Sequence, residues 1–409
     1  MEKKCFTAGV INAGLPNQSV DPGNFALQLD GQRKMGVEIE LFIVDVETGQ
    51  PLAIGPEIVA RVHDGAKQQV RLENLACQIE LVSRPHNNLT DLRADLAALV
   101  DEVAGIALTM RARLLWSGSH PRLDYEAQAQ TECTRSTHNR RRLGGAIEAL
   151  GMCGIHFHVE ATQDEAIRVV DGLQTFLPLL VALTANSPIK GGRNSGFRSK
   201  RASNWNGQVG VSGFSGPYQD WGGFKRQMAN FKNARRIETP KDNYSFVRPT
   251  TLGTVEVRCC DTPMNLDQVI AVAAFVKTLV EATAMGDLDV ERTRDFLAAE
   301  FHEAALRGPE AKLTNHCGEL VSPVQWLNGL ASELQLTAMM IDTDLALRLA
   351  SSYLLVNGST EQLAKFEREE QRRAEEVLVS PISANSGRLG WSLAAATAAL
   401  VLLLAQVVV

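Results

Sequence analysis

Four short stretches of this sequence alternate polar and apolar residues in the same way: Glu38-Ile39-Glu40, Gln78-Ile79-Glu80, His156-Phe157-His158 and Glu256-Val257-Arg258. Apolar residues flank each one, Val37 and Leu41, Cys77 and Leu81, Ile155 and Val159, Val255 and Cys259. Strand side chains alternate between faces, so both polar members of a triplet point the same way. An exposed strand face would account for any one triplet alone. Exposed faces mix in Lys, Thr and Ser, however, and these triplets hold four carboxylates, two imidazoles, one amide and one guanidinium, with no lysine. Taken together they point to a single site.

Carboxylates brought together raise each other's pKa unless cations neutralise them. Hard divalent cations take carboxylate oxygens, and Mg²⁺ is commonly held by one or two carboxylates plus substrate phosphates. Glu38, Glu40, Glu80 and Glu256 suit that role, with Glu73 joining from the segment that leads into its strand. Mn²⁺ would fit the same donors, with histidine as a minor ligand. The competing reading is a zinc or manganese hydrolase built on His156, His158 and the glutamates. Arg258 is an odd neighbour for zinc. It makes better sense as a planar donor toward a phosphoryl group.

A second feature is a basic, glycine-rich stretch. Between Ser187 and Arg236 lie Lys190, Arg193, Arg198, Lys200, Arg201, Lys225, Arg226, Lys232, Arg235 and Arg236, against one acid, Asp220. Flexible backbone with guanidinium groups suits a polyphosphate or a substrate carboxylate. A basic surface loop and a nucleic-acid contact are the alternatives. Few aromatic residues interleave with the basic ones, and the whole chain carries 41 basic against 47 acidic residues, a net charge of −6. Nucleic acid therefore ranks last. No P-loop and no kinase-type glycine-rich loop is present, so phosphates would be held by metals and arginines on a sheet face.

The elements that must carry these residues can be read coarsely. Met35 to Val46 reads as a strand followed by a turn at Glu47-Thr48-Gly49-Gln50. Leu92, Leu96, Leu99, Val103, Ile106 and Met110 recur at helical spacing, with Thr90 as the expected N-cap. Helices are expected over about 164–183, broken or restarted at Pro178, over Leu266–Met285, and over about 290–306, 324–338 and 343–356. Residues 361–378 are charge-rich and read as a solvated helix. Adjacent Cys259 and Cys260 should face opposite sides of their strand, one of them in the core. His63, His86, His302 and His316 stand outside the motifs. Strands and helices mix without a βαβ rhythm, which favours an α+β fold with a largely antiparallel sheet.

With 409 residues, 45% hydrophobic and 22% charged, the chain has the composition of a soluble globular protein. Seven cysteines without a C-x-x-C pair argue against a disulfide scaffold and for a reducing, cytoplasmic compartment. Residues 1–30 read as a loose leader, 31–380 as one catalytic domain and 381–409 as an apolar tail. From Trp391 to Val409 there is no charge, and nineteen helical residues would extend ~28 Å, roughly a bilayer's hydrocarbon thickness. A membrane anchor, a buried or swapped terminal helix and a tail that never orders all fit this run. Homo-oligomer formation is left open.

The ordered series of motifs resembles the type 2 glutamate–cysteine ligases and related carboxylate–amine ligases. It runs through Gly36-Val37-Glu38-Ile39-Glu40-Leu41-Phe42, Glu73 with Glu80 seven residues on, Gly118-Ser119-His120-Pro121, and Cys153-Gly154-Ile155-His156-Phe157-His158. It continues with Leu183-Thr184-Ala185-Asn186-Ser187-Pro188 through Gly192, Ser195-Gly196-Phe197, Ser199 and Arg201, and closes with Thr254-Val255-Glu256-Val257-Arg258 and Asp261. The resemblance implies a glutamine synthetase-like catalytic domain, a curved antiparallel sheet flanked by helices. It implies ATP-dependent amide formation through an acyl phosphate, with glutamate and cysteine, or another amine, as small-molecule substrates. Carried over, Glu38, Glu40, Glu73, Glu80, His158 and Glu256 would hold two or three Mg²⁺ ions. Arg258 would stabilise the transferring phosphoryl group and Arg201 would bind phosphate or the substrate carboxylate. Asn186, Ser187, Arg193, Ser195 and Arg198 would shape the substrate and ATP site. The sequence departs from the family at Asn194, where an aspartate is usual, at Ser195 for threonine, and at Gly191 for a glutamate. A non-catalytic binding protein that keeps the fold is the remaining alternative.

Overall fold

The computed structural model describes residues 32–379 apart from 133, 208–209, 289–291, 345, 348–349 and 351–356. The leader 1–30, the tail 381–409 and much of the helix expected over 343–356 lie outside the described residues. Two compact units are distinguished, Met1–Leu363 and Ala364–Val409, the boundary falling inside the helix Gly358–Val379.

The centre of the first unit is a seven-stranded sheet. Its strands are β1 (Met35–Asp45), β2 (Val70–Leu72), β3 (Gln78–Val82), β4 (Ala112–Leu115), β5 (Gly154–Glu160), β6 (Val247–Pro249) and β7 (Thr254–Asp261). They pair in the order β6-β7-β5-β1-β3-β2, with β4 alongside the far end of β1, and every pairing is antiparallel. The expected α+β class and antiparallel sheet are what the chain forms.

Alternation along each strand separates two environments. Val37, Ile39, Leu41 and Ile43 of β1, with Ile79, Leu81, Ile155, Phe157, Val255 and Val257, are buried in the main hydrophobic core. Helices cover that face. Leu89–Thr109 contributes Leu92, Leu96, Leu99 and Val103, and Gln163–Leu173 contributes Val169 and Val170. Leu266–Met285 is buried almost all round and stops at Gly286, whose φ of +84° suits a residue without Cβ. The segments Gln163–Thr184 and Leu266–Met285 are long and apolar enough to cross a membrane, yet 83% of each apolar window is packed inside the protein, so they read as core helices.

Several local expectations need correction. The first long helix is capped by Asn88, whose side chain accepts from Asp91 N–H at 2.8 Å, so Thr90 falls inside it. The restart expected at Pro178 is seen, by contrast: Gln163–Leu173 and Leu177–Thr184 are joined by a 3₁₀ turn, with Pro178 in the first turn of the second. The single helix expected over 324–338 divides into Pro323–Glu333 and Gln335–Met340. Cys259 and Cys260 both join the core, their Sγ atoms 4.0 Å apart, because a bulge between Val257 and Cys260 interrupts the alternation of β7.

Candidate active site

The register of the sheet brings the four triplets together. Glu38 stands opposite His156, Glu256 opposite His158, and Glu40 opposite Glu80. Glu38, Glu80, His156, His158 and Glu256 are each no more than 4% exposed. That excludes a solvated sheet face. Gln78 lies further along the same face, against Phe42 in the register, and donates to Cys153 Sγ at 3.4 Å. It closes the apolar end of the face.

Three groups of ligand atoms each lie within 4.8 Å of one another: Glu38–Glu80–His156, Glu38–His158–Glu256 and Glu40–Glu73–Glu80. All six residues expected to hold metal fall in these groups, and His156 joins them. The Nε2 atoms of His156 and His158 are buried without a hydrogen-bond partner, an arrangement that is costly unless a ligand is bound there. His158 Nδ1 lies 3.2 Å from Thr254 Oγ1, while Nε2 is 3.6 Å from Glu38 Oε1 and 3.8 Å from Glu256 Oε1. The Thr254 hydroxyl fixes which ring nitrogen faces the carboxylates. Oxygen-rich donor sets with one imidazole or none suit hard divalent cations better than structural zinc.

The electrostatics show how crowded the face is. Glu80 is held well above the usual carboxylate range by burial and by Glu38 and Glu73. Burial and Glu40 push Glu73 up to about 8. Glu38 moves the other way: burial opposes its charge, but His158 and His156 outweigh that and hold it well below the ordinary value. Glu256 is also depressed, since Arg248 and Arg258 overcome its burial. Glu256 Oε2 accepts from Arg248 Nε at 2.7 Å, and Oε1 is paired with Arg258.

Cations missed in the sequence surround the carboxylates. Arg248 lies opposite Glu256 in the register of β6 and β7. Arg71 on β2 lies 3.6 Å from Glu80 and 3.9 Å from Glu38. Burial, and then the charges of Arg135, Arg71 and Arg248, lower the pKa of Lys241. Arg71 was legible in principle, since it precedes Glu73 by two residues and shares its face. Arg135 and Lys241 come from segments with no periodic relation to the triplets.

Beside the carboxylates is a cavity of ≈ 50 Å³, lined on its charged side by Glu40, Glu73, His156, Arg201 and Arg258 and on its aromatic side by Trp205, Tyr244 and Phe246. At roughly 10–15 Å³ per water centre it holds a few waters or ions. Arg201 belongs to the short helix Lys200–Trp205 and is buried. Its Nη1 donates to Cys260 C=O at 2.8 Å and Nη2 to Arg258 C=O at 3.3 Å, while Nε has no hydrogen-bond partner. Trp205 Nε1 is likewise buried and unpartnered. The guanidinium lies flat on Gly154, where a Cβ would sit 2.0 Å from Nη2. Only glycine leaves that room.

The other residues expected in the substrate and ATP site are not brought to this cavity. Arg193 is exposed in the hairpin Ile189–Lys190/Arg193–Asn194. Arg198 pairs with Glu310 at 2.6 Å, and Ser195 Oγ donates to Phe197 C=O at 3.3 Å. Asn186 and Ser187 are buried, with Asn186 N–H and Ser187 O–H both donating to Asp261. Of the ten basic residues in the stretch, Arg201 alone lines the cavity. A hairpin and an ion pair direct Arg193 and Arg198 elsewhere.

The sequence profile of Glutamate-cysteine ligase family 2 (GCS2) matches residues 34–380, most of the chain. The chain belongs to this family. "Putative glutamate–cysteine ligase 2-2" of Mycolicibacterium vanbaalenii is 30% identical over 346 residues, 82% of this chain and 93% of that protein. "Putative glutamate–cysteine ligase 2-1" of Frankia casuarinae is 30% identical over 253 residues, and the match spans 66% of that relative's length. Among solved structures, the glutamate–cysteine ligase of Francisella tularensis in complex with AMP superposes with a TM-score of 0.59 at 14% identity, covering 84% of this chain and 89% of that one. A bifunctional glutathione synthetase from Pasteurella multocida gives 0.56 at 16% identity, covering 84% and 53%. Both likenesses concern the fold.

Proposed function

We propose that this member of the family is an ATP-dependent carboxylate–amine ligase, and that its substrates are glutamate and an amine, cysteine first among them. The observation that carries the reading is the juxtaposition of Arg258 with the grouped carboxylates on one buried sheet face. Glu38, Glu40, Glu73, Glu80, His156, His158 and Glu256 would hold divalent cations, which supply charge neutralisation for the polyphosphate. A carboxylate oxygen of the acid attacks the γ-phosphorus and ADP leaves. The amine nitrogen then attacks the acyl carbon, phosphate leaves with that oxygen, and the nitrogen loses a proton. Arg258 stabilises the transferring phosphoryl group by charge and by a planar pair of donors. Arg71, Arg135, Lys241 and Arg248 raise the positive potential around the phosphates.

Arg201 Nε and Trp205 Nε1 are two buried donors without partners, one helical turn apart on the same short helix. They fit the α-carboxylate of the acid substrate, and the aromatic side of the cavity fits its methylene chain. The small size of the cavity agrees with an amino-acid end group at that position. No cysteine needs to be a nucleophile in this scheme. The test follows an ¹⁸O label from the γ-carboxylate of glutamate. Label in the released phosphate supports the reading, and amide formed without label transfer contradicts it.

A further inference from the structure

Asp261 ends the last motif of the sequence and touches none of the metal-ligand groups, yet it is 1% exposed. Its carboxylate is an acceptor only, and both oxygens are engaged. Oδ2 accepts from Ser187 O–H at 2.7 Å and from Asn186 N–H at 2.8 Å, and Oδ1 accepts from Ser199 O–H at 2.9 Å. Each serine has one proton, and Asp261 takes both. The serine oxygens are therefore left as acceptors toward the start of the short helix: Arg201 N–H donates to Ser187 Oγ at 3.0 Å and Ala202 N–H to Ser199 Oγ at 3.1 Å. The residue before Asp261 completes the frame, since Cys260 C=O accepts from Arg201 Nη1. Gly118 lies against the same carboxylate, where a Cβ would come within 2.7 Å of Asp261 Cγ. The close fit leaves the carboxylate little room to turn.

We infer that Asp261 is a positioning residue for acid-substrate binding: it directs two serine protons away from the helix start and so fixes the helix that presents Arg201 Nε and Trp205 Nε1 to the cavity. This rests on the reading of that pair as the carboxylate-binding donors. Asp261→Asn keeps the shape but replaces one acceptor oxygen with a donor, so Ser199 has to turn its proton away into a buried space. The expected result is selective. Losing a hydrogen bond to a buried charged group should raise the KM for glutamate about tenfold or more. The affinity for Mg·ADP should stay within about twofold, because the cation-binding strands keep their own partners.

The experiment uses the full chain, with hydroxylamine as the amine, and measures KM for glutamate, Mg·ADP affinity and hydrogen exchange in the peptide spanning residues 199–205. Faster exchange there in Asp261→Asn, with β1 and β5 unchanged and the glutamate KM raised alone, supports the inference. Ser187→Ala keeps the carboxylate with its bonds to Asn186 and Ser199, removes the bridge from Asp261 through Ser187 to Arg201 N–H, and should shift the same two quantities by a smaller factor. It decides the matter if Asp261→Asn does not fold. Unchanged exchange at 199–205 in the folded variants overturns the inference, and so do parallel losses of glutamate and Mg·ADP binding. Failure of the underlying reading looks different: Arg201→Met would leave the glutamate KM unchanged while Asp261→Asn still loosened the helix.

Discussion

Glu256 shows at the level of one residue how charge is balanced in the site. It is 2% exposed, bonded to Arg248 and Arg258, and within 4.0 Å of both His156 and His158. Glu256→Gln removes the charge that these groups share, and calorimetric Mn²⁺ or Mg²⁺ affinity should fall by about tenfold or more. Arg258→Lys should lower turnover ~10²–10³-fold and change Mg·ADP affinity far less, since lysine cannot make the planar double contact. Steady-state rates and nucleotide titrations would separate the two effects. Glu73 gives a pH prediction. Its folded pKa, raised to about 8, lies above the ordinary glutamate value, so its contribution to stability is complete at low pH and is lost as pH rises through about 8. Between about pH 5 and 8, Glu38 and Glu256 are already ionised in both states, and the two histidines shift in opposite directions. The protein stripped of divalent ions should therefore melt at lower temperature as pH rises across that window. Mg²⁺ should reverse the loss and release protons on binding. A melting temperature that climbs steadily with pH in the stripped protein would contradict this account of Glu73.

At the scale of elements, the central strands were legible because a period of two survives in sequence whatever the strand packs against. Met35 to Asp45, Gln78 to Val82, Gly154 to Glu160 and Thr254 to Asp261 all carry the triplets on one face. What the sequence did not carry was register across distance, which puts Arg248 against Glu256 and Arg71 against Glu80. The basic stretch misled for a related reason: composition says that cations are present, and only the hairpin and the Glu310 pair say where they point. Thr90 stands closer to the first apolar repeat than Asn88, yet the helix starts after Asn88, whose backbone is extended and whose side chain caps it. Contact between elements yields two predictions. Gly154→Ala would place a methyl carbon against the Arg201 guanidinium, so the KM for the acid should rise by about tenfold or more with little change in Mn²⁺ affinity. Leu279→Ala, on the core side of the sheet, should cost about 2–5 kcal/mol in urea unfolding and leave turnover per folded molecule unchanged.

Across the whole molecule, one sheet divides the work. Its apolar face and the covering helices supply the stability, and its polar face concentrates charge, with arginines and imidazoles set among the carboxylates. The family match ends at residue 380, and every residue assigned to the site lies before Leu363. A chain stopped at residue 380 should accordingly keep the turnover of the full chain. Comparing how the two partition with liposomes would test the anchor reading of Trp391–Val409. The most direct test of the central claim is to supply Mg-ATP, glutamate and hydroxylamine and to measure hydroxamate and ADP together, because hydroxylamine traps an acyl phosphate whatever the natural amine is. The account predicts equal amounts of both products, dependent on Mg²⁺ and formed ~10²–10³-fold more slowly with Arg258→Lys. Folded, metal-loaded protein that makes ADP without hydroxamate across a panel of amino acids, or makes neither, would contradict it.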